Sequence, residues 1–547
     1  MAARTKGKSS FVKQAAILAS AGMLVRFLGF VYRLPLTNML GDEGNGIYGM
    51  GYYIYTFLLI LSSAGLPAAI SKLVSERLAL RQYRNAHRVF QTSLIVSASL
   101  GTIFAILMAL TARQTAALVK TPDSYYCILS LCPTLIIVAI MSVYRGYFQG
   151  MNTMVPTAIS QIVEQIFNAF FSVYLAYIFL GMFIPEGETE NIALGAAGGT
   201  MGTGIGALAG LVIVFISYMM IRPYLLRRAK ICRQPYEETR TELVKRLMGT
   251  AWPIIVGTAV FSMTNLIDIG MVMRILTASG YSETEATVLY GQLSGKYVTL
   301  TTLPVAISSS IATAVLPSIA ASNRLGERKQ VNRKMNLTMR ISMIISVPAA
   351  VGIGVLGPQI IAMLFPKASD GGILLTVGAI SIIFLALCQT ATGILQGIGH
   401  IRVPVVGALL GAVMKVILNA ILIPIPALNI IGAVLSTTGC YLVASIFDVY
   451  MLSRITKVRF DFKRILLKPI LGSSPTRHGL SPAKPTRTKS VLLLPTLRAM
   501  VMILYCRILG LQKGVGMGCM LKITFHTPLL TELFIQKPIH RFTLQSL

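Results

Sequence analysis

The chain alternates apolar stretches of membrane-crossing length with short polar connectors. A transmembrane helix needs roughly 20 predominantly apolar residues. Stretches of that length fall at about 14–36, 46–68, 89–110, 124–147, 154–181 and 192–221. A second set follows at about 248–276, 286–311, 340–363, 371–394, 402–423 and 429–452, which predicts twelve helices. Bases crowd into alternate connectors: Lys72, Arg77, Arg81, Arg84 and Arg88 in one, then Arg222, Arg227, Arg228, Lys230, Arg233, Arg240, Lys245 and Arg246 in another. Arg324, Arg328, Lys329, Arg333, Lys334 and Arg340 fill the next, and Arg454, Lys457, Arg459, Lys463, Arg464 and Lys468 the last. The intervening connectors carry acids instead, with Asp42-Glu43, Glu186, Glu188, Glu190, Glu283 and Glu285. Basic connectors are retained in the cytoplasm, so the pattern predicts a multi-pass protein with a cytoplasmic N-terminus.

The two sets of six repeat one another. Arg145-Gly146-Tyr147-Phe148-Gln149-Gly150, Pro156 and Asn168 recur as Thr392-Gly393-Ile394-Leu395-Gln396-Gly397, Pro404 and Asn419. Leu66-Pro67 matches Leu316-Pro317, and Tyr48-Gly49 matches Tyr290-Gly291. Leu28–Leu34 aligns without a gap to Ile269–Ile275, which pairs Arg33 with Arg274 and leaves Arg26 opposite Ile267. The common order of these matches marks an internal duplication. Because six is even, both halves enter the membrane in the same sense, and a substrate path is expected between them. The expected units are 1–235, 236–471 and a tail, 472–547.

The first helix carries Arg26 and Arg33, seven residues apart and so on one helical face. An arginine at mid-membrane costs roughly 2.5–3.5 kcal/mol on insertion scales, so it turns to a cavity or partner. The other reading is snorkelling to an interface, which suits Arg33 better than the more central Arg26.

Composition supports the membrane reading: 54% of residues are hydrophobic and 12% charged. The net charge of +30 comes from connectors and tail, not from a continuous basic face, so no nucleic-acid partner is expected. Seven cysteines show no metal-ligand spacing, and no metal is expected. Gly198–Gly206 has the composition of a phosphate loop but lacks GK[ST], so close helix packing is expected there. No Ser/His/Asp arrangement or large outer loop suggests an enzyme. From Gly472 a Ser/Pro/Arg/Lys-rich linker opens a basic tail whose apolar stretch, Val491–Leu511, is interrupted by Pro495, Arg498 and Arg507.

Several stretches resemble the stage V sporulation protein B branch of the polysaccharide-export transporters. They are Leu28–Leu34, Gly41-Asp42-Glu43-Gly44-Asn45-Gly46-Ile47-Tyr48, Ala64-Gly65-Leu66-Pro67-Ala68-Ala69-Ile70-Ser71-Lys72-Leu73-Val74 and the Gln-Gly repeats. The branch includes lipid II flippases of the MurJ type, within the superfamily of multidrug and oligosaccharidyl-lipid exporters. The resemblance covers residues 10–470 and implies an all-α fold of two six-helix lobes in a V around a cationic cavity. It also implies alternating access in the bacterial cytoplasmic membrane and export of an undecaprenyl-pyrophosphate-linked sugar. Membrane lipids and cell-wall synthesis proteins are the further partners it suggests. Two additional helices usual in the family should begin just after Lys468-Pro469-Ile470, where this sequence departs from the pattern. Either the tail is a shifted reading frame or the lipid-tail groove is missing.

A pyrophosphate head group suits arginine, whose planar fork donates two hydrogen bonds to one phosphate. Arg26, Arg33 and Arg274 are the expected head-group ligands, with Lys296 a fourth candidate or a snorkelling lysine. Glu164 and Asn168 stand one turn apart, with Lys415 and Asn419 at the equivalent places in the repeat. A cross-lobe Glu164–Lys415 gate is one expectation; satisfaction of each charge within its own lobe is the other. Asn265 and Asp268 could take a sodium ion or a proton, or Asp268 could neutralise a nearby cation. Asp448 is expected at the interface. The alternative function is a cation-coupled multidrug exporter of the same fold.

Overall fold

The computed structural model describes residues 2–457 apart from 185–189, 232–237, 325 and 401; the expected tail lies outside the described residues. All its regular elements are helices, with no strand among the described residues. In hydrocarbon every backbone N–H and C=O must be satisfied within the protein, and helices do this segment by segment. The first half comprises α1 (Ala2–Ser63), α2 (Leu66–Ala79), α3 (Tyr83–Leu118), α4 (Ser124–Gly150), α5 (Val155–Leu180) and α6 (Ile192–Ile231). The second comprises α7 (Arg240–Ala278), α8 (Glu283–Gly291), a π-helical turn (Gln292–Tyr297), α9 (Val298–Arg324), α10 (Arg328–Leu364), α11 (Gly372–Gly378), α12 (Ser381–Gly397), α13 (Arg402–Leu422) and α14 (Ile430–Thr456).

Among the described residues nine helices are long and apolar enough to span a membrane, and the bent pair α11–α12 makes a tenth. The hydropathy pattern reaches twelve because it divides α1 at Gly41 and counts α8–α9 as one span. Gly41 has φ 65° and ψ −169°, a conformation open essentially to glycine alone, and it breaks α1 into two rods. Asn45 holds the break: its amide donates to the carbonyls of Thr37 and Gly41, and its oxygen accepts from the Thr37 hydroxyl at 3.2 Å. The Gly41–Ile47 motif is therefore a corner between two spans.

Outward faces are apolar. On α3, Ile103, Ile106 and Leu110 form an exposed stripe, while Gly101, Ala105, Ala112 and Ala116 are buried on the other side. Without a hydrophobic drive between helices in lipid, small residues let backbones approach and gain dispersion contact. The glycine-rich stretch works this way. Gly198, Gly202 and Gly206 lie directly against Leu175, Ser172 and Glu164 of α5, so a methyl group at any of them would overlap that helix. Helix packing, not phosphate cradling, accounts for the motif.

Helices of each half pack mainly among themselves; α2 and α3 also touch α7, and α1 crosses most, touching α4, α5 and α6 on one side and α7, α8 and α9 on the other. Gly46 meets the Thr287 backbone so closely that no side chain fits between them. The helix that carries Arg26 and Arg33 thus stands where the halves meet.

Candidate functional site

A cavity of about 350 Å³ opens between α1 and α9. One wall is the α1 face Arg26, Gly29, Phe30 and Arg33. These residues are three, four and seven apart, the spacing of a single helical face. Across from them stand Ser294, Thr299, Thr302 and Ala306, and Gln389 of α12 also borders the space. No carboxylate is among the lining residues. The second rod of α1 adds Tyr53.

The two arginines are held differently. Arg26 reaches across the cavity: its Nη1 donates to the Ala306 carbonyl and the Ser309 hydroxyl, each at 2.8 Å, and lies 3.4 Å from the Ser310 hydroxyl. Arg33 has neither an ion pair nor a hydrogen bond among the described residues. Its guanidinium lies 4.7 Å from the centre of the Tyr48 ring and 5.8 Å from that of Tyr52. An aromatic face attracts a cation by about 0.5–2 kcal/mol yet accepts none of its N–H donors. Arg33 therefore keeps its hydrogen-bonding capacity while its position is fixed.

Arg274 does not join them. It is exposed, and it borders a separate hollow with Leu118, Val119, Ile267, Gly270 and Met271. Those positions are the repeat equivalents of the α1 face: Ile267 for Arg26, Gly270 for Gly29, Met271 for Phe30 and Arg274 for Arg33. The four positions share one helical face in each half, but the two faces open on different spaces. Approach of Arg33 and Arg274 to one head group from opposite sides is not the arrangement in this structure.

Lys296 does not line the cavity either, nor does it snorkel. It is 1% exposed, with its ammonium 2.5 Å from Asp42 Oδ1 and donating to the Asp370 carbonyl at 2.9 Å. It sits in the π turn, where the extra residue re-aims the side chain toward the corner at Gly41. The lysine ties the first half to two segments of the second.

The gate expected between Glu164 and Lys415 is absent. Glu164 pairs with Arg145 Nη2 at 2.6 Å, whose Nε also donates to Ser160 at 3.0 Å. Lys415 pairs instead with Asp268 Oδ2 at 2.6 Å, and Asn419 donates to the other oxygen at 3.3 Å. Each charge is satisfied in its own half, the other of the two expectations. Asn168 accepts from Ser172 at 2.8 Å and Thr203 at 3.4 Å. Asn265 faces a smaller space of about 190 Å³ with Thr264, Cys388, Gln389 and Cys440. Asp268 thus has a cation partner already. Asp448 is 0% exposed, enclosed by α12 and α13. Among the described residues no group of His, Cys, Asp and Glu could hold a metal ion.

Sequence reasoning did not single out Tyr48, Tyr52 or the hydroxyl-bearing face of α9. A signal was present for the latter. Thr299, Thr302 and Ser309 stand three and then seven residues apart, on one helical face of α9.

The family model described as polysaccharide biosynthesis protein matches residues 11–323. Stage V sporulation protein B of Bacillus subtilis (strain 168) is 28% identical over 466 residues, covering 84% of this chain and 87% of the relative. Lipid II flippase MurJ of the same organism is 26% identical over 479 residues, covering 85% and 86%. A solved structure of lipid II flippase MurJ in an inward closed conformation superposes with a TM-score of 0.61 at 17% identity, over 84% of this chain and 90% of that one. The family match, spanning more than half of the sequence, and the superposed helical fold agree: this multi-pass membrane protein belongs to the polysaccharide biosynthesis protein family.

Proposed function

We propose that this protein is an alternating-access flippase that exports an undecaprenyl-pyrophosphate-linked sugar across the bacterial cytoplasmic membrane. Its substrate class is that of lipid II and related cell-wall, spore-cortex or polysaccharide precursors. The observation that carries the reading is the Arg26–Arg33 wall, two guanidinium groups in a carboxylate-free cavity where the halves meet. A pyrophosphate presents about two charges and several acceptor oxygens, and charge-assisted Arg–phosphate bonds are roughly twice as strong as neutral ones. The hydroxyls of Thr299, Thr302 and Ser294 suit sugar and phosphate oxygens on the facing wall. Arg26 is engaged with α9 in this state, and an anion would take over those donors.

In this reading the halves are 1–235 and 236–471, the N-terminus is cytoplasmic, and the protein is a transporter with no catalytic group. An ion gradient, of sodium or protons, or the membrane potential drives the cycle. The multidrug alternative requires acids facing the cavity to bind cationic compounds, and the lining residues include none. The test is complementation of a flippase-depleted strain. Arg26→Ala combined with Arg33→Ala should abolish rescue while membrane levels persist, and full rescue by the double variant overturns the reading.

A further inference from the structure

Asp448 is a carboxylate that the head-group chemistry leaves unused. It is fully buried, 0% exposed, where α12, α13 and α14 meet. Its Oδ2 accepts from the Thr392 hydroxyl at 2.9 Å and lies 3.9 Å from the Cys388 thiol. Its Oδ1 has no hydrogen-bond partner among the described residues. Gly407 of α13 lies directly against that oxygen, so close that even a methyl group there would overlap it.

No cation compensates this group among the described residues. From α12 only Cys388 and Thr392 reach it. On α13, Lys415 is held by Asp268 of α7, and Arg402 makes no ion pair with Asp448. On α14 itself, Cys440, Tyr441, Tyr450 and Arg454 form no bond to it, and α11 has no titratable residue. An unpaired buried carboxylate costs several kcal/mol even after relaxation, whereas a neutral hydroxyl without a partner costs about 1–3 kcal/mol. A metal cation needs several oxygen ligands, and this place offers one carboxylate and one hydroxyl. A proton fits both limits.

We infer that Asp448 is a proton-binding site, and that its protonation is coupled to the central cavity through α12. The same helix lays Cys388 and Thr392 against Asp448 and Gln389 against the cavity. It is also a rod of its own, bent by 54° from α11. With the proton bound, α12 packs on α14 without exposing a charge. When the proton leaves, the carboxylate draws water, α12 swings at residues 379–380, and Gln389 moves with it. The coupling half of this inference supplies an energy source for the transport cycle proposed above and rests on that reading; the proton site does not.

The experiment needs no substrate. Infrared spectra of the full-length protein in liposomes should contain the carbonyl band of a protonated, exchange-shielded carboxylic acid at neutral pH. That band should vanish in Asp448→Asn and shift in Thr392→Val, which removes the hydroxyl donor. Unchanged band intensity in folded Asp448→Asn, or an unshifted band in Thr392→Val should the first variant fail to fold, overturns the proton site. For the coupling, an environment-sensitive fluorophore is placed on Gln389→Cys in a background whose accessible cysteines are replaced. Its emission should change with pH beside Asp448 and stay flat beside Asp448→Asn. A response identical in both overturns the coupling, whatever the outcome of the complementation test.

Discussion

Lys415 of α13 and Asp268 of α7 form a buried ion pair, Nζ to Oδ2 at 2.6 Å, that clamps two helices of one half. Replacing the pair by apolar groups of similar volume is often neutral, while removing one partner leaves a buried charge and costs about 3–5 kcal/mol. Lys415→Met alone should therefore lower the melting temperature of the purified protein sharply. Combining it with Asp268→Leu should recover most of the loss. Equal melting temperatures for wild type and Lys415→Met would falsify the clamp.

Arg33 is positioned by Tyr48 and Tyr52, not by an acid. The attraction belongs to the ring face, not to the hydroxyl. Tyr48→Phe keeps the ring and should rescue a flippase-depleted strain about as well as the unaltered protein. Tyr48→Leu loses the cation–π contact, worth about 0.5–2 kcal/mol, and should reduce transport by several-fold at equal membrane abundance. Matching activities of the two variants would show that the guanidinium is held by something else.

Much of this arrangement was legible in the sequence because the membrane imposes strict rules. Span length follows from bilayer thickness, so the apolar pattern found the middle of each span, but not the polar turns that extend it: α9 runs on to Arg324 and α10 begins at Arg328, both within a basic connector. The Arg26–Arg33 face was legible for the same reason: a seven-residue spacing leaves little choice of side. What periodicity could not say is which neighbour each face meets. Arg274 occupies the same register as Arg33, yet its helix turns it toward Leu118 and Lys120. The Glu164–Lys415 gate failed likewise, since matching depth in two halves says nothing about the nearer partners Arg145 and Asp268. Lys296 was misjudged because its aim is set by a π turn, which leaves no trace in hydropathy.

The connector ahead of α7 is anchored by one strong pair and one weak one. Arg77 grips Glu238 with two bonds, Nε to Oε2 at 2.6 Å and Nη2 to Oε1 at 2.8 Å, and both residues are buried. Arg246 approaches the same carboxylate at 3.1 Å from a mostly exposed position. A bidentate buried pair resists loss of a partner, whereas exposed pairs are worth about 0–1 kcal/mol. Arg77→Ala should markedly accelerate proteolytic cleavage of the connector in the purified protein, and Arg246→Ala should leave the rate nearly unchanged. A reversed order of the two rates contradicts this assignment.

The tie between Lys296 and Asp42 holds the α1 corner against the π turn, beside the break at Gly41. Lys296→Met removes the cation and leaves Asp42 facing an apolar wall, so the favourable response is for the corner to part and admit water. Ser294 lies two residues from Lys296 and borders the central cavity. A cysteine placed at Ser294 therefore reports whether that end of the cavity has opened. In membranes, labelling of Ser294→Cys by a water-soluble maleimide should rise several-fold when Lys296→Met is added. Adding Asp42→Asn to the same protein should reduce that effect, because no unpaired charge then drives hydration. If Lys296→Met leaves labelling unchanged, the pair supports the local fold and does not gate the cavity.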